Sequence, residues 1–191
     1  MKKIILSLLV CIVTLTSYGQ KTKAKTKAPA KTQAKTALST YNNVDHKIKF
    51  QYPQDWELTD TVSDAIVYLF TPTNGDDDRF SENLNLSFED ISSSGITFKD
   101  YVDQNVASIK DGVTITDLKQ TSAKFFKWNG LQAYEIIYSG NLEGVDFRLS
   151  WIQRFFLRDG KIYLITYSAD GDKKDPYVTS AKQLINSIKF Y

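Results

Sequence analysis

The stretch "VDFRLSWIQRFFLRDGKIYLITYS", residues 145–168, decides the fold of this chain. Two runs rich in β-branched and aromatic side chains flank Asp159-Gly160, and Asp-Gly between such runs is a strong signal for a tight β-hairpin. A second pair of this kind, Asn129-Gly130, joins "AKFFKW" to "LQAYEIIYSG" just upstream. Consecutive hairpins place neighbouring strands side by side. The sequence therefore predicts an antiparallel sheet in the C-terminal half of the chain.

Further strands are predicted nearer the N-terminus, and one of them has an unusual ending. Strand patterns occur at residues 47–52, 64–70, 83–90 and 113–120. In the third of these, Leu84, Leu86 and Phe88 are expected to point inward. Pro53 ends the first strand because proline has no N–H to donate to a strand ladder. Trp56 opens a short strand three residues later.

Two helices are predicted at separate points along the chain. Thr97, with Asp100 three residues later, is close to a capping box, and the helix that follows ends at Asp111. Asp175 as N-cap and Pro176 at the first helical position begin the second helix. Strands joined by hairpins, with helices at two points, predict an α+β fold built on a central antiparallel sheet.

The first 19 residues have the three parts of a secretory signal peptide. Two lysines precede an apolar run of twelve residues from Ile4 to Leu15. That run is too short for a membrane span, which needs about 20 residues. Ser17 and Gly19 are the small residues expected before a cleavage site between Gly19 and Gln20. The sequence therefore predicts an exported protein, either periplasmic or secreted.

Cys11 is the only cysteine, and it lies inside the predicted signal peptide. The alternative to simple export is a lipoprotein acylated at Cys11, but Val10 is not the small residue that a lipobox requires there. Simple export leaves the mature chain without cysteine, which excludes disulfide bonds, a thiol nucleophile and zinc held by cysteine.

Charge divides the chain into a basic segment and an acidic remainder. Residues 1–37 hold eight lysines and no acid, which leaves 16 of the 24 basic side chains against all 22 acidic ones in residues 38–191. A net negative charge on the folded part argues against a nucleic-acid partner. Residues 20–40 are expected to be a flexible linker rich in Lys, Thr and Ala, ahead of a domain at 41–191. Weak contact of this linker with an anionic surface is the alternative to a plain spacer.

Stretches along the predicted domain resemble, in the same order, one known family. The strand at 47–52 with its proline and tryptophan resembles the start of a PsbP-like domain. "NLNLSF", "WNGLQAYEIIYSG" and "DGKIYLITYSAD" are similar to later strands, and "AKQLINSIKFY" to the closing helix. The resemblance covers residues 41–191 and implies an α/β/α sandwich, a central antiparallel sheet with helices on both faces. It also implies non-enzymatic docking onto a larger partner, as in the lumenal subunit of the photosynthetic water-oxidising complex.

The residue types needed for common enzyme chemistry are scarce in this sequence. His46 is the only histidine, which excludes sites with two histidines and leaves one candidate general base. The sequence contains no G-x-S-x-G elbow, no P-loop and no G-x-G-x-x-G fingerprint. It therefore predicts a protein that is not an enzyme and that holds no cofactor.

One acidic turn offers weak candidates for metal ligands. Asp76, Asp77 and Asp78, with Glu82 nearby, supply oxygen atoms of the kind that calcium prefers. They lack the alternating spacing of a calcium-binding loop, so a solvated turn is the alternative.

Arginine placement suggests a candidate partner-binding face. Three of the four arginines lie on one predicted strand at even spacing, and therefore on one face: Arg148, Arg154 and Arg158. Tyr134 and Tyr138 on the neighbouring strand add to them, and Arg with Tyr is the composition of an interface hot spot or of an anion-binding face. The alternative is that the arginines pair with Glu135 or Glu143 across the sheet and lie beneath the helices.

Two functional hypotheses follow from these observations. The first is an exported, non-enzymatic binding or assembly module that docks on an envelope protein or complex through the arginine face. The second is a carrier of a small ligand or of calcium, which would use a crevice between sheet and helix or the acidic turn.

Overall fold

The computed structural model describes residues 37–61, 65–73, 75, 78–111 and 114–191. The elements in these residues are β1 (Leu38–Asn43), β2 (Ile48–Pro53), β3 (Glu57–Thr59), β4 (Val67–Phe70), β5 (Asn83–Asp90), α1 (Phe98–Lys110), β6 (Ile115–Trp128), β7 (Leu131–Leu142), β8 (Arg148–Arg158), β9 (Lys161–Asp170), α2 (Val178–Ser187) and β10 (Lys189–Phe190). The predicted signal peptide and most of the predicted linker lie outside the described residues. Neither α1 nor α2 combines the length and the apolar character that a membrane-spanning helix requires.

Seven strands form one antiparallel sheet in the order β3-β4-β5-β9-β8-β7-β6. The two hairpins that the sequence predicted are confirmed at Asn129-Gly130 and Asp159-Gly160. All four of these residues have a positive φ, from 48° to 85°, as a tight two-residue turn requires. The fold is therefore mostly antiparallel sheet with two helices.

A second, three-stranded sheet forms where the sequence predicted linker and helix. β1, β2 and β10 pair antiparallel in the order β1-β2-β10, so the single central sheet that was predicted to contain β2 is in fact two sheets. β1 begins at Leu38, inside the predicted linker of residues 20–40, because Leu38 pairs with Pro53. β10 occupies the end of the predicted closing helix. There Tyr191 donates its backbone N–H to the carbonyl of Lys47 at 3.0 Å.

The predicted start of α1 is confirmed. The Thr97 hydroxyl oxygen accepts the backbone N–H of Asp100 at 3.2 Å, and the hydroxyl donates to the Asp100 carboxylate at 2.6 Å. This local exchange satisfies one of the N–H groups that a helix start leaves without a partner. The helix buries five side chains: Phe98, Tyr101, Val102, Asn105 and Ile109.

The second helix begins later than predicted. Helix α2 starts at Val178, with Tyr177 as its N-cap, so Asp175 and Pro176 precede it. The Asp175 carboxylate accepts the backbone N–H of Tyr177 at 2.7 Å and the hydroxyl of Tyr167 at 2.9 Å. Asp175 therefore fixes the turn that leads into the helix instead of capping the helix itself.

Two hydrophobic clusters share the strands of the large sheet by alternation. Ile152 and Phe156 of β8 belong to a first cluster, together with buried side chains of α2 and β2. Trp151 and Phe155 of the same strand belong to a second cluster with the buried side chains of α1. Since successive side chains of a strand point to opposite faces, the two clusters use opposite faces of β8.

Trp56 joins the small sheet to the first cluster. Its backbone N–H donates to the carbonyl of Pro53 at 3.0 Å, so the chain turns directly after β2. The buried indole stacks on Tyr167 with ring centroids 6.5 Å apart, and it meets Tyr177 edge-on at 6.2 Å. The strand, proline and tryptophan of the sequence thus form one unit that fixes β2 against β9 and the start of α2.

Candidate interaction surface

Arg154, the central residue of the predicted arginine face, is a buried ion-pair partner. Its guanidinium donates to the Glu135 carboxylate through Nε at 2.9 Å and through Nη2, and to the Asn186 side chain of α2 at 3.0 Å. The aromatic rings of Phe126 and Trp128 lie beside the guanidinium carbon, 5.4 and 4.9 Å away. Only 8% of Arg154 is exposed, so it cannot contribute a surface contact as the protein stands.

Arg148 holds a bulge in β6. Its guanidinium donates to the Asp117 carboxylate at 2.5 Å, to the Asp117 carbonyl at 2.7 Å and to the Ser139 hydroxyl at 3.0 Å. Asp117 has φ of 48°, a conformation that most side chains disfavour. The arginine therefore stabilises an irregular backbone at the sheet edge, and its hydrogen-bonding capacity is largely used within the chain.

Arg158 ties the C-terminal strand to the large sheet. It donates to the carbonyl of Tyr191 at 2.9 Å and to the carbonyl of Lys47 at 3.3 Å, and it lies 3.2 Å from the Asp159 carboxylate. All three arginines of β8 are thus engaged inside the protein. Of the two acidic partners named in the alternative reading, Glu135 pairs with Arg154, whereas Arg148 pairs with Asp117 and Arg158 with Asp159.

Tyr134 and Tyr138 do not join the arginines, which corrects the prediction. The register between β7 and β8 places Tyr134 opposite Phe155 and Tyr138 opposite Trp151. Phe155 and Trp151 point to the face of β8 that does not carry the arginines. Both tyrosines are buried in the α1 cluster, and burial raises the pKa of each phenol above its ordinary value. The predicted arginine and tyrosine face is therefore two separate faces.

Three exposed apolar side chains lie around the turn of residues 44–47 and, with the half-buried His46, form a group that we call the aromatic end patch: Val44, His46, Phe88 and Tyr191. Val44, Phe88 and Tyr191 are 69%, 43% and 48% exposed. The His46 ring packs on Phe88 with centroids 4.6 Å apart, and Val44 lies in the same turn as His46. Phe88 was predicted to point inward. It is on the expected face, but it lies beyond the end of the packed core, beside the ring of Tyr163.

Two lysines lie beside aromatic rings of the aromatic end patch. The Lys161 ammonium lies 5.7 Å from the Phe88 ring centroid, and the Lys49 ammonium lies 5.5 Å from that of Tyr191. Burial lowers the pKa of His46, and the positive charge of Lys161 lowers it further. His46 is therefore neutral at physiological pH and acts here as an aromatic surface. The patch therefore offers apolar contact with a charged rim that carries both signs, since the exposed Asp45 lies beside His46.

The structure describes only two of the four predicted acidic ligands, Asp78 and Glu82. Asp76 and Asp77 lie outside the described residues. Within the described ranges, no group of three or more His, Cys, Asp or Glu side chains is arranged to hold a metal ion. Glu82 is buried and accepts a hydrogen bond from the Thr71 hydroxyl at 3.3 Å. Burial raises its pKa, and the negative charges of Asp175 and Asp78 raise it further.

Replacing Glu82 with Gln is expected to stabilise the protein in a pH-dependent way. A carboxyl whose pKa is higher in the folded state contributes stability below its unfolded pKa, and that contribution is lost as pH rises through the folded pKa. The amide keeps an acceptor for Thr71 and carries no charge. We expect Glu82→Gln to melt near the wild-type temperature at about pH 4 and clearly above it at about pH 8. Thermal melts at both pH values measure this, and Glu143→Gln, at an exposed carboxylate, is the control.

A shallow cleft lies at the start of α1, on the face that the α1 cluster covers. It encloses about 510 Å³, and its lining combines apolar and polar side chains: Ile91, Ser92, Ile96, Thr97, Lys99, Gln132 and Leu157. This volume falls in the range of small-molecule pockets. It lies between the sheet and the start of α1, which is where the carrier hypothesis places a ligand.

Sequence reasoning missed the aromatic end patch, because its members are far apart along the chain. Val44 lies in a turn, Phe88 lies two residues before the end of β5, and Tyr191 is the last residue of the sequence. A local signal existed only at Tyr191, which directly follows the "KF" segment that forms β10. Pairing of β10 with β2 brings that end beside the turn of residues 44–47.

The comparisons with known proteins agree with the resemblance noted in the sequence. The cyanobacterial PsbP of Synechocystis superposes with a TM-score of 0.57 at 17% identity, over 86% of this chain and 98% of that one. The Saccharomyces cerevisiae Ran-binding protein Mog1p gives 0.56 at 7% identity, over 81% and 96%. LpqN, described as involved in cell envelope biogenesis of Mycobacterium tuberculosis, gives 0.56 at 13% identity, over 80% and 90%. At these identities the likeness shows the fold alone. The search of curated proteins gave no match.

Family membership rests on a separate comparison. The family model described as PsbP-like protein matches residues 2–190, nearly the whole chain. The match takes in the described elements from β1 to β10. The chain belongs to the PsbP-like family.

Proposed function

We propose that this chain is an exported, non-enzymatic binding or assembly module that docks on an envelope partner through the aromatic end patch. The observation that carries the proposal is the exposure of Val44, Phe88 and Tyr191 around the turn of residues 44–47. The His46 ring packs on Phe88 there, and the Tyr191 backbone N–H donates to the carbonyl of Lys47. Exposed apolar groups that gather in one place, with a polar rim, are typical of protein-interaction sites.

The architecture supports a docking role. The two core clusters favour an α/β/α arrangement, with α1 over one face of the large sheet and α2 with the small sheet over the other. Such an arrangement leaves the sheet faces covered and the strand ends and turns available for contact. Among the structural neighbours, one is described as a Ran-binding protein and another as involved in cell envelope biogenesis. The first description is compatible with a binding role and the second with a place in the envelope. Export, with cleavage of residues 1–19, is part of the proposal and is supported by the sequence of those residues.

Site-specific photo-crosslinking in the native cells tests the proposal. A photoreactive phenylalanine analogue at Val44 is expected to capture one envelope partner reproducibly, which mass spectrometry then identifies. The same analogue at Leu38, which is also exposed but lies at the other end of β1, is the matched control. Adding Phe88→Ser to the Val44 probe is expected to reduce the captured amount about tenfold, the size expected when an interface contact is lost.

Two results would count against this surface. Capture of the same partner from Leu38 as from Val44 would mean that the end patch gives no selectivity. Equal capture with and without Phe88→Ser would mean that the aromatic ring contributes nothing to docking. Far-ultraviolet circular dichroism and a melting curve check that the Phe88→Ser variant is folded, so that reduced capture can be attributed to the lost contact.

The cleft at α1 supports a second candidate function, a small-ligand carrier. Its mixed apolar and polar lining, which includes Lys99, suits a small amphipathic molecule. Native mass spectrometry of the protein from its own cells should then show a bound small molecule. Gln132→Leu, at the wall of the cleft, should release it. A spectrum with only the bare chain, together with a specific crosslink at Val44, favours the docking module.

A further inference from the structure

The outer edge of β6 is long and has no strand beside it. β6 is the last strand of the large sheet and pairs with β7 alone in the described part of the chain. Its outward N–H and C=O groups therefore face solvent, and such groups are a template for a further strand. The other edge of the large sheet, β3, has only three residues, so the β6 edge is the one long enough to accept a partner strand.

The usable part of this edge is residues 122–128. Upstream, two register shifts interrupt the pairing with β7, between Thr116 and Lys119 and between Gln120 and Ser122. Downstream of the second shift the register is continuous from Ser122 to Trp128. Bulges twist an edge away from pairing, whereas a regular stretch of about this length is that of an ordinary strand.

The side chains of residues 122–128 combine positive charge with exposed aromatic surface. Lys124 and Lys127 are exposed and lie on opposite faces of the strand. The Lys124 ammonium lies 3.9 Å from the Glu135 carboxylate, but its side chain is 60% exposed and can also reach a strand added at the edge. Phe125 is 48% exposed, although it packs against Tyr134 and Phe98. From residue 118 to residue 128 the sequence contains three lysines and no acid. A strand added here would meet a lysine on each of its two faces.

We propose that residues 122–128 of β6 accept an extended, acidic segment of another protein as an eighth strand of the large sheet. Backbone hydrogen bonds would supply affinity, and acidic side chains opposite Lys124 and Lys127 would supply selectivity. Pairing of β6 with a second copy of itself would bring the lysines of the two copies close together, and their charges would repel. Lysines on the edge strands of natural sheets prevent self-association in this way. The edge belongs to strands other than those of the aromatic end patch, so this inference is independent of the proposed function.

Amide hydrogen exchange of the folded protein, followed by NMR, tests the inference with synthetic peptides. A short peptide that alternates Glu and Val is expected to slow exchange of alternate amides in residues 122–128. The same peptide with Lys in place of Glu should not slow it. The Glu peptide with alternate amides N-methylated keeps every side chain but cannot extend the ladder, so it should also have no effect.

Charge reversal on the protein gives the matched variants. The double variant Lys124→Glu/Lys127→Glu should bind the Glu peptide about tenfold more weakly, because two favourable cross-strand pairs become repulsive, and it should bind the Lys peptide better. Lys182→Glu changes the charge at an exposed position of α2 and should leave the affinity unchanged.

Three outcomes would overturn the inference. One is equal binding of the N-methylated and unmodified peptides, which indicates docking through side chains only. Another is protection of residues outside β6 and β7 without protection of 122–128. The third is slowed exchange of 122–128 without peptide, together with a dimer in sedimentation, which identifies a second copy as the occupant.

Discussion

Replacing Arg154 with Met is expected to lower the free energy of unfolding by about 3–5 kcal/mol, because the change leaves the Glu135 carboxylate buried without its partner. The guanidinium donates to Glu135 through Nε and Nη2. The side chain of Lys124, the other cation near Glu135, is 3.9 Å away and largely exposed, so it compensates only in part. Denaturant unfolding followed by circular dichroism measures the loss.

The double variant Arg154→Met/Glu135→Leu separates burial of a lone charge from loss of packing. Replacement of a buried ion pair by apolar groups of similar volume is often close to neutral. We therefore expect the double variant to recover most of the stability that Arg154→Met loses. If both variants are equally unstable, the packing of the guanidinium between the rings of Phe126 and Trp128 matters more than the charge. Lys182→Met, which removes an exposed cation, should change stability by less than about 0.5 kcal/mol.

A variant that replaces Arg148, Arg154 and Arg158 together with alanine would lose three internal anchors: the bulge of β6, the buried pair and the C-terminal strand. If that variant failed to bind a partner, the cause could be unfolding of the domain as well as the loss of a direct contact with the partner. Substitutions in the aromatic end patch avoid this difficulty, because the side chains changed there are exposed.

The sequence predicted the large sheet well because its signals are local. Alternation and the two hairpin turns act over a few residues, and they define β7, β8 and β9 directly. The small sheet depends on pairing between residues far apart, Leu38 with Pro53 and Lys189 with Lys49. β1, "LSTYNN", is largely polar, so neither its composition nor its pattern distinguishes it from the linker before it.

The candidate sites were also predicted only as far as local sequence signals allow. Even spacing placed the three arginines correctly on one face of β8, but exposure depends on what packs over that face. The side chain of Asn186 in α2 and the aromatic rings of β6 cover Arg154, and nothing near residue 154 in the sequence indicates this. The tyrosines were misplaced because the face of Tyr134 depends on the register between β7 and β8, which alternation within one strand cannot supply.

Replacing Trp56 with Ala is expected to cost about 3–5 kcal/mol of unfolding free energy, in the range for deletion of a large buried aromatic side chain. The indole fills the space between the turn after β2, Tyr167 of β9 and Tyr177 before α2. Trp56→Phe keeps an aromatic ring at the same position and should lose less. Circular dichroism is the appropriate probe, since Trp56 is itself one of three tryptophans that would report by fluorescence.

The loss in Trp56→Ala should also be uneven across the molecule. Contacts of Trp56 join the small sheet to the large one, whereas the hydrogen bonds of β8 with β7 and β9 do not involve it. We therefore expect amide exchange to accelerate more in β1 and β2 than in β8, since local opening follows the contacts that are removed. Uniform acceleration in both sheets would instead mean that they unfold as one cooperative unit, and that Trp56 stabilises the whole domain.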